Sequence, residues 1–323
     1  MSSNPLHSRL ASDGGSYGLP ATPPPNAHRN SPVFYGPNGL RAGWRLAIFV
    51  ILFILFGRVL NFVLHKIPSI AAWHKAVGEN AMTPGLLLFD EGLAVALVLL
   101  IVFIMSLIEK RTFADYYLPP NQAFGQRFWQ GVPYGFAMLS LLMGLIAAFH
   151  GFSIQGFALG GAVALKFGLL YFVGFILVGM LEEVMMRGYL QSTLGSGIGF
   201  WWAAVILSFL FGLGHIQNAA EDWFGAVMAG SFGLLAAFAL YRTGNIWFPI
   251  GMHTAWDWGE TYFYGVPDSG VRPVGNLLNS TLSGPHWIAG GVVGPEGSGF
   301  AILVLAIGAV GIHFLFPRKQ VVT

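Results

Sequence analysis

Residues 168–187 read GLLYFVGFILVGMLEEVMMR, an apolar stretch that ends in two adjacent glutamates followed by an arginine. A helix needs about 20 mostly apolar residues to cross the hydrocarbon of a bilayer, and this stretch is long enough. The helix-compatible pattern continues to Gly195. The sequence therefore predicts a membrane helix that carries Glu182 and Glu183 inside the membrane rather than at its surface.

The rest of the chain has the composition of a membrane protein. Hydrophobic residues make up 55% of the 323 positions and charged residues 9%, whereas soluble domains carry about 25% charged residues. We therefore predict an all-α polytopic membrane protein of about eight transmembrane helices, in contact with membrane lipids. The predicted spans are Trp44–Leu64, Leu86–Ile108, Phe128–Phe149, Ala162–Met180 with its continuation, Phe200–Gly214, Trp223–Tyr241, Ile246–Tyr264 and Phe300–Phe316.

The distribution of lysine and arginine predicts the orientation, because short cytoplasmic segments carry an excess of both. With the N-terminus in the cytoplasm, the opposite side holds Lys66, Lys75 and Arg272. We expect both termini to be cytoplasmic and the protein to lie in the plasma (inner) membrane. The cytoplasmic segments would hold Arg9, Arg29, Arg41, Arg45, Lys110, Arg111, Arg127, Arg187, Arg242, Arg318 and Lys319.

Composition divides the chain into five segments. Residues 1–43 are polar and rich in Ser, Pro, Gly and Asn, which predicts a disordered cytoplasmic tail. Residues 44–150 are predicted to hold three helices, and 160–265 the candidate site. Residues 266–298 form an outer loop that offers no interpretable chemistry. Residues 299–323 form the last helix and a short cytoplasmic tail.

Two kinds of site are excluded by composition. The chain has no cysteine, which rules out disulfides, thiolate metal sites and cysteine nucleophiles. The net charge of +2 is small and the basic residues are dispersed, so we expect no nucleic-acid partner.

The first candidate cluster is Glu182, Glu183 and Arg187. Glu183 and Arg187 are four residues apart, so they share a helix face and can form an ion pair. Glu182 would then be a carboxylate without a local partner, which suits a general base. An ion pair at the headgroup end of the helix explains the cluster equally well.

The second and third candidates lie on later spans. His215 ends the segment Phe-Gly-Leu-Gly-His, in which Gly212 and Gly214 would let another helix approach closely. His253 and Asp257 are four residues apart, so the aspartate can orient the histidine or both can ligate one metal. An interfacial histidine and a buried polar clasp are the structural alternatives.

A further charged pair is expected between the first two spans. Arg58 lies near the outer end of the first, and Asp90 and Glu91 lie near the outer start of the second. Because an unpaired charge at that depth is costly, we predict that Arg58 pairs with Asp90 or Glu91. A proton or ion path is the rival interpretation.

The three clusters in this order resemble the motif set of the CPBP intramembrane protease family. The motifs are Glu-Glu-x-x-x-Arg at 182–187, Phe-x-x-x-His at 211–215 and His-x-x-x-Asp at 253–257. That family includes the CAAX prenyl endopeptidases, of which the Ras-converting enzyme is one, and bacteriocin-processing or Abi-like immunity proteins. The resemblance covers residues 160–265.

The resemblance implies roles for the candidate residues. Glu182 and His215 would bind and activate the attacking water. His253 and Asp257 would stabilise the oxyanion or complete a metal site, and Arg187 would hold Glu183 or help to orient the site. An ionised Asp257 would repel an oxyanion, so it must be protonated, orient His253 or coordinate a metal.

Two histidines and a carboxylate also match catalytic zinc ligation. Glu182, His215 and His253 are therefore candidate ligands of Zn²⁺ or another divalent metal. No cofactor is needed if the metal-free glutamate mechanism holds.

The resulting hypothesis is an endopeptidase that acts on a peptide or lipidated protein substrate entering from the cytoplasmic leaflet, through an opening toward the cytoplasm. A non-enzymatic bacteriocin-immunity or scaffold protein that retains the same polar cluster is one alternative. A proton-coupled transporter is the other, although the spans show no paired halves of the kind transporters carry.

Overall fold

The computed structural model describes residues 33–36, 39–78, 81–218 and 220–317, and it divides into two compact units at Arg41. In the first unit β1 (Tyr35–Gly36) pairs antiparallel with β2 (Gly39–Leu40). Most of the tail predicted to be disordered, residues 1–32, lies outside the described residues.

The second unit is a bundle of helices. It consists of α1 (Ala42–His65), α2 (Pro68–Val77), α3 (Pro84–Glu109), α4 (Gln126–Ala148), α5 (Gly161–Glu183), α6 (Gln191–Ile198), α7 (Phe200–His215), α8 (Trp223–Thr243), α9 (Trp247–Trp258), α10 (His286–Ala289) and α11 (Gly299–Leu315).

Within the described residues, five helical segments are long and apolar enough to cross a membrane: α1, α3, α4, the continuous segment Gly161–Ile198, and α8. The apolar helices α7 and α11 are shorter, with 16 and 17 residues. The predicted span Ile246–Tyr264 is a 12-residue α-helix with a six-residue extension. The all-α polytopic class is confirmed, with five full-length spans among the eight predicted.

Two of the three helices that carry candidate residues, α5 and α9, change their winding directly after Glu183 and shortly after Asp257. The helix α5 passes into a π-helix at Val184–Leu190 and then into α6, and α9 passes into a π-helix at Gly259–Tyr264. A π-helix bonds each carbonyl to the amide five residues later, and such turns are frequent at functional sites. The predicted continuation of the helix past Glu183 is present and ends at Ile198.

Glycines bring α4 and α9 into backbone contact. A Cβ on Gly131 would collide with the carbonyl oxygen of Phe248, and one on Gly135 with that of Met252. Small residues four apart allow such a close approach between membrane helices. The whole of α9 from Trp247 to Asp257 is consequently buried.

A second close approach joins α7 to α8. A Cβ on Gly212 would collide with the carbonyl oxygen of Ala226, whereas one on Gly214 would meet nothing within 4 Å. The expectation that both glycines admit a helix is therefore correct for Gly212 and wrong for Gly214.

The segment 266–298 is tied to two other connections at the same end of the bundle. The strand β3 (Ala81–Met82) pairs in parallel with β5 (Arg272–Pro273). The strand β4 (Phe152–Phe157) pairs antiparallel with β6 (Leu278–Leu282). The segment is therefore an ordered cover over this end of the bundle.

Large apolar side chains face outward along the spans. Ile51, Leu165, Phe209 and Phe314 are 62%, 65%, 65% and 76% exposed on α1, α5, α7 and α11. Apolar surface of this extent marks a lipid or protein interface. Together with the apolar spans it supports an integral membrane protein.

An ion pair closes the end of the bundle opposite the segment 266–298. Arg45 Nη1 lies 2.8 Å from Glu109 Oε2, and its Nη2 donates to Ser196 Oγ at 2.5 Å. The Tyr189 hydroxyl donates to Glu109 Oε1 at 2.6 Å. Both carboxylate oxygens of Glu109 are therefore partnered.

The predicted pair between Arg58 and Asp90 or Glu91 is wrong. Asp90 Oδ1 lies 3.0 Å from His74 Nε2, and Glu91 Oε2 is buried without a hydrogen-bond partner. The Arg58 side chain is on an exposed face of α1. The helix α2, which the sequence pattern did not reveal, places His74 where the arginine was expected.

Candidate active site

A cavity of about 220 Å³ brings the three sequence clusters together. Glu182 reaches it from the end of α5, His215 from the end of α7, and His253 and Asp257 from α9. Because these helices are distant in sequence, the packing of the bundle is what creates the site.

His253 lies at the centre of a group of carboxylates. Its Nδ1 is 3.1 Å from Glu183 Oε1, and its Nε2 is 3.5 Å from both Glu182 Oε2 and Asp257 Oδ2. The Phe232 ring, 4.9 Å away, closes one side of the imidazole. Since each ring nitrogen faces a carboxylate oxygen, the ring is held in one orientation.

The predicted ion pair between Glu183 and Arg187 is present. Arg187 Nη1 lies 3.2 Å from Glu183 Oε1, and both side chains are buried. The guanidinium also lies over the ring of Phe211, 4.5 Å from its centre. Gly233 on α8 makes room for it, because a Cβ there would collide with Arg187 Nη2.

Glu182 differs from Glu183 in its surroundings. Its side chain is 24% exposed to the cavity, against 0% for Glu183. Its Oε2 is buried and accepts no hydrogen bond. A carboxylate oxygen with no fixed donor can accept a proton or bind a water molecule that enters the cavity.

His215 presents one ring nitrogen for chemistry. Its Nδ1 lies 2.9 Å from the carbonyl oxygen of Phe211, one helical turn earlier. A carbonyl oxygen only accepts, so Nδ1 carries the proton and Nε2 keeps its lone pair in the neutral ring. Such a nitrogen can accept a hydrogen bond from water or bind a metal ion.

The six predicted site residues thus fall into two layers. Glu182, His215, His253 and Asp257 line the cavity, while Glu183 and Arg187 lie behind His253. Within the described residues, the side chains whose ligand atoms gather within 4.8 Å are Glu260, Asp268 and Glu296. Glu182, His215 and His253 form no such group there, and their metal binding stays a prediction.

The sequence did not predict several of the residues that line the cavity. Glu91 of α3 lines the cavity, as do Asp268, Ser269 and Glu296 of the segment 266–298. The segment 266–298, which offers no interpretable chemistry as a sequence, thus contributes carboxylates to the lining of the cavity. No local pattern connects Asp268 with Glu296, whereas Glu260 follows His253 and Asp257 at helical spacing and could have been noticed.

The segment 266–298 brings further carboxyl groups close to the cavity. Burial, and then the neighbouring Glu296, raise the pKa of Glu221 to about 7. Burial, with Asp257 and Glu296 nearby, raises the pKa of Asp268 well above its usual value. Carboxylates here oppose one another's ionisation.

The position of the cavity conflicts with the expectation that the termini and the cavity opening both face the cytoplasm. Its lining includes Met82, Asn218 and Asp268, which belong to connections that the predicted orientation places on the non-cytoplasmic side. Cytoplasmic termini and a cavity opening toward the cytoplasm are therefore incompatible. The expected cytoplasmic opening took no account of the residues that the connections and the segment 266–298 contribute to the lining.

These features define a class, namely a polytopic membrane protein with a carboxylate and imidazole site between its helices. Residues 164–259 match the family model described as type II CAAX prenyl endopeptidase Rce1-like. The resemblance to the CPBP and CAAX protease family is confirmed over this segment, which contains all six predicted site residues, and it supports a membrane protease. Searches of curated proteins and of solved structures gave no match.

Proposed function

We propose that the protein is an intramembrane endopeptidase that hydrolyses peptide bonds with a water molecule activated by Glu182. The observation that supports this most is the arrival of Glu182, His215 and His253 in one cavity from three separate helices. The match of residues 164–259 to a prenyl endopeptidase family gives independent support.

In the proposed reaction, water binds between Glu182 and the free Nε2 of His215. Glu182 takes one proton while the water oxygen forms a bond to the scissile carbonyl carbon. The protonated Glu182 then gives that proton to the amine nitrogen as the carbon–nitrogen bond breaks. The products are a carboxylic acid and an amine, and no covalent intermediate with the protein forms.

His253 is proposed to stabilise the oxyanion as an imidazolium, with Nδ1 donating to Glu183 and Nε2 donating to the oxyanion. Glu183 holds its Nδ1 at 3.1 Å, and Asp257 lies 3.5 Å from Nε2. Of the three roles open to Asp257, this geometry favours the orientation of His253. Preorganised donors of this kind contribute about 3 kcal/mol each to transition-state stabilisation.

The proposed substrate is a peptide that carries a lipid, as the prenyl endopeptidase description of the matched family suggests. A second cavity of about 300 Å³ adjoins the first and shares Met82, Leu87, Glu91 and Val271 with it. This second cavity offers space for the part of the peptide next to the scissile bond. A substrate held in this way would extend along α3.

Cleavage by the purified protein tests the proposal. Wild-type protein in detergent should cleave a prenylated peptide, with products identified by mass spectrometry. Glu182→Gln should lower the rate by about 10²–10⁴-fold, the usual contribution of a general base. Asp115→Asn makes the same carboxylate-to-amide change at an exposed residue of the short 3-10 helix Phe113–Tyr116 and should leave the rate unchanged.

Undiminished cleavage by a folded Glu182→Gln protein would refute the mechanism and return weight to a scaffold or transport role. A chelator experiment addresses the metal alternative separately. Full activity in protein shown to be metal-free supports the metal-free reaction. Activity that is lost with zinc and regained on its addition would instead assign a ligand role to Glu182, His215 and His253.

We further propose that the predicted orientation holds, so that substrate reaches the cavity from the side opposite the cytoplasm. The absence of native cysteine makes single-cysteine labelling direct. An impermeant maleimide applied to intact cells should label Ser283→Cys and not Asn121→Cys, which lie at opposite ends of the bundle. The reverse pattern would place the cavity on the cytoplasmic side.

A further inference from the structure

Three carboxylates meet where the segment 266–298 covers the end of α9. Glu260 belongs to the π-helix that extends α9, and Asp268 and Glu296 come from the covering segment. One oxygen atom from each lies within 4.8 Å of the others. We call these three residues the loop carboxylate cluster.

Two members of the cluster have hydrogen-bond donors. Trp256 Nε1 donates to Glu296 Oε1 at 3.0 Å and Ser269 Oγ to Glu296 Oε2 at 2.9 Å. Thr261 Oγ1 donates to Asp268 Oδ2 at 2.9 Å. These fixed donors hold Glu296 and Asp268 in place but supply no positive charge.

Glu260 has no such donor. The residue is 0% exposed, and both of its carboxylate oxygens are buried without a hydrogen-bond partner. Among the described residues, no lysine or arginine forms an ion pair with any member of the cluster. A buried carboxylate in this state is strongly unfavourable unless a positive charge or a proton joins it.

We propose that the loop carboxylate cluster binds a divalent cation with oxygen ligands, in the first place Ca²⁺. Three carboxylates supply oxygen ligands alone, which suit Ca²⁺ and Mg²⁺ rather than zinc or copper. Ca²⁺ accepts irregular sets of six to eight oxygens, whereas Mg²⁺ demands a near-ideal octahedron. This site goes beyond the proposed hydrolysis and needs none of its residues.

A backbone oxygen lies near the loop carboxylate cluster and could serve as a further ligand. A Cβ on Gly294 would collide with the carbonyl oxygen of Pro267 and would lie 3.1 Å from Glu260 Oε1. Gly294 has a φ of 113°, in a region that favours glycine. The chain therefore crosses at the cluster with its carbonyl group beside the buried carboxylate.

The proposed cation would fasten the cover to the helix of the active site. Two backbone bonds already join these parts, from Val266 N to Glu260 O at 3.1 Å and from Leu277 N to Tyr262 O at 2.7 Å. Glu260 is one turn beyond Asp257 on the same helix, and Asp268 and Glu296 also line the active-site cavity. Cation binding would therefore stabilise the position of the cover over the substrate.

Thermal unfolding of the metal-stripped full-length protein in detergent tests the site. A cation that binds only the folded protein raises its stability, and we expect saturating Ca²⁺ to raise the melting temperature by about 4 °C or more. Mg²⁺ at the same concentration should raise it less. Glu260→Gln should abolish the Ca²⁺ response.

The matched control is Glu91→Gln, which changes another buried carboxylate of the same cavity outside the cluster and should keep the full response. No shift in wild-type protein, or an equal shift in Glu260→Gln, would overturn the proposal. The first of these results would mean that the three carboxyl groups share protons instead of a cation.

Terbium luminescence gives a second measurement that does not need a folded Glu260→Gln protein. Trp256, which donates to Glu296, is close enough to sensitise a bound Tb³⁺ ion. Wild-type protein should show saturable emission that Ca²⁺ displaces, and Asp268→Asn should weaken Tb³⁺ binding at least tenfold. Emission that Ca²⁺ does not displace, or that Asp268→Asn leaves unchanged, would contradict the site.

Discussion

The two ends of this helical bundle both bury carboxylates, but only one end supplies partners for all of their oxygens. At one end, Glu109 receives Arg45 on one oxygen and the Tyr189 hydroxyl on the other. At the other end, Glu182 and Glu260 keep buried oxygens that accept no hydrogen bond. A carboxylate whose partners are all supplied by the protein is a structural element. One that lacks a partner is suited to receive water, substrate or a cation.

One continuous helical segment, Gly161–Ile198, connects these two environments. Its middle carries Glu182 at the cavity, and its far part carries Tyr189 and Ser196 at the paired end. The same helical segment thus anchors the bundle at the paired end and presents the reactive group to the cavity. The contrast lends itself to direct tests.

The largest effect should come from Glu183→Gln, because Glu183 contacts both Arg187 and His253. Breaking a buried ion pair from one side costs about 3–5 kcal/mol. The release of His253 should also lower kcat/KM on the order of 10²-fold, as expected for a misplaced catalytic group. Thermal unfolding and cleavage assays on the same preparation measure both losses.

A comparison of the loss of stability with the loss of cleavage decides the role of Glu183. If stability falls while cleavage by the folded fraction is retained, Glu183 belongs with Glu109 as a structural residue. A fall in kcat at unchanged KM would support its role in positioning His253.

Glu109→Gln should affect stability alone. The change leaves Arg45 buried beside a neutral partner, so the free energy of unfolding should fall by about 3–5 kcal/mol. Cleavage per folded molecule should be unchanged, since Glu109 lies at the far end of the bundle. A loss of activity in the folded fraction would remove the distinction drawn between the two ends.

The double variant Arg45→Met/Glu109→Gln is the matched control for that experiment. Removing the cation together with the anion leaves no unpaired buried charge, and such replacements are often neutral. Most of the lost stability should therefore return. No recovery would indicate that packing around Glu109, rather than its charge, supports this end.

Gly135→Ala tests how the cavity end is held together. The added Cβ would collide with the carbonyl oxygen of Met252 and push α9 away from α4. Overpacking of this kind costs about 1–3 kcal/mol, and cleavage should fall because His253 follows Met252 directly. Thermal unfolding and kcat/KM are the readouts.

Gly144→Ala provides the control within the same helix. A Cβ on Gly144 would meet nothing within 4 Å, so the change should be neutral or stabilising through its higher helix propensity. Equal effects at both positions would mean that the close contact between α4 and α9 is not what positions the site.

The smallest effect should come from His74, which pairs with Asp90 near the second cavity. A bond to the Ile70 carbonyl and one to Asp90 raise the pKa of His74 above its usual 6.5. A histidine with a raised pKa adds stability below its usual value, and that stability is lost as the pH rises through the folded pKa. Because the pair is exposed, we expect about 1–2 °C in melting temperature.

His74→Asn should remove this pH dependence, measured as the difference between melting temperatures below and above the titration window. His65→Asn, at another exposed histidine, should leave it intact. A persistent difference in His74→Asn would assign the dependence to another group.

The spans could be predicted because the thickness of the bilayer fixes the length of the apolar runs. The helices α1, α3, α4 and α8 are found where those runs lie. The sequence predicts one ordinary span where the structure has the short α9 and its π-helical extension, because composition does not reveal a change of winding. The strand pairs that order 266–298 join residues far apart in sequence, and no local pattern encodes them.

The candidate site also has features that the sequence predicts and features that it does not. The pair between Glu183 and Arg187 follows from helical spacing, so the sequence was sufficient to predict it. The meeting of Glu182 with His253 depends on how α5 packs against α9, and only the family resemblance suggested it. The roles of Asp268 and Glu296 depend on the fold of the covering segment, which single-sequence reasoning cannot supply.

The two π-helical segments have a consequence for how this site can change. Each wide turn holds one residue more than an α-helix of the same hydrogen-bonded span, so each marks a place where the chain accommodates an insertion without breaking the helix. Because the wide turn absorbs its extra residue, removal of one residue from 184–190 would restore ordinary winding with little rotation of the helix beyond it. The change would fall on the residues of the turn itself, Arg187 among them, and would leave the paired end in place.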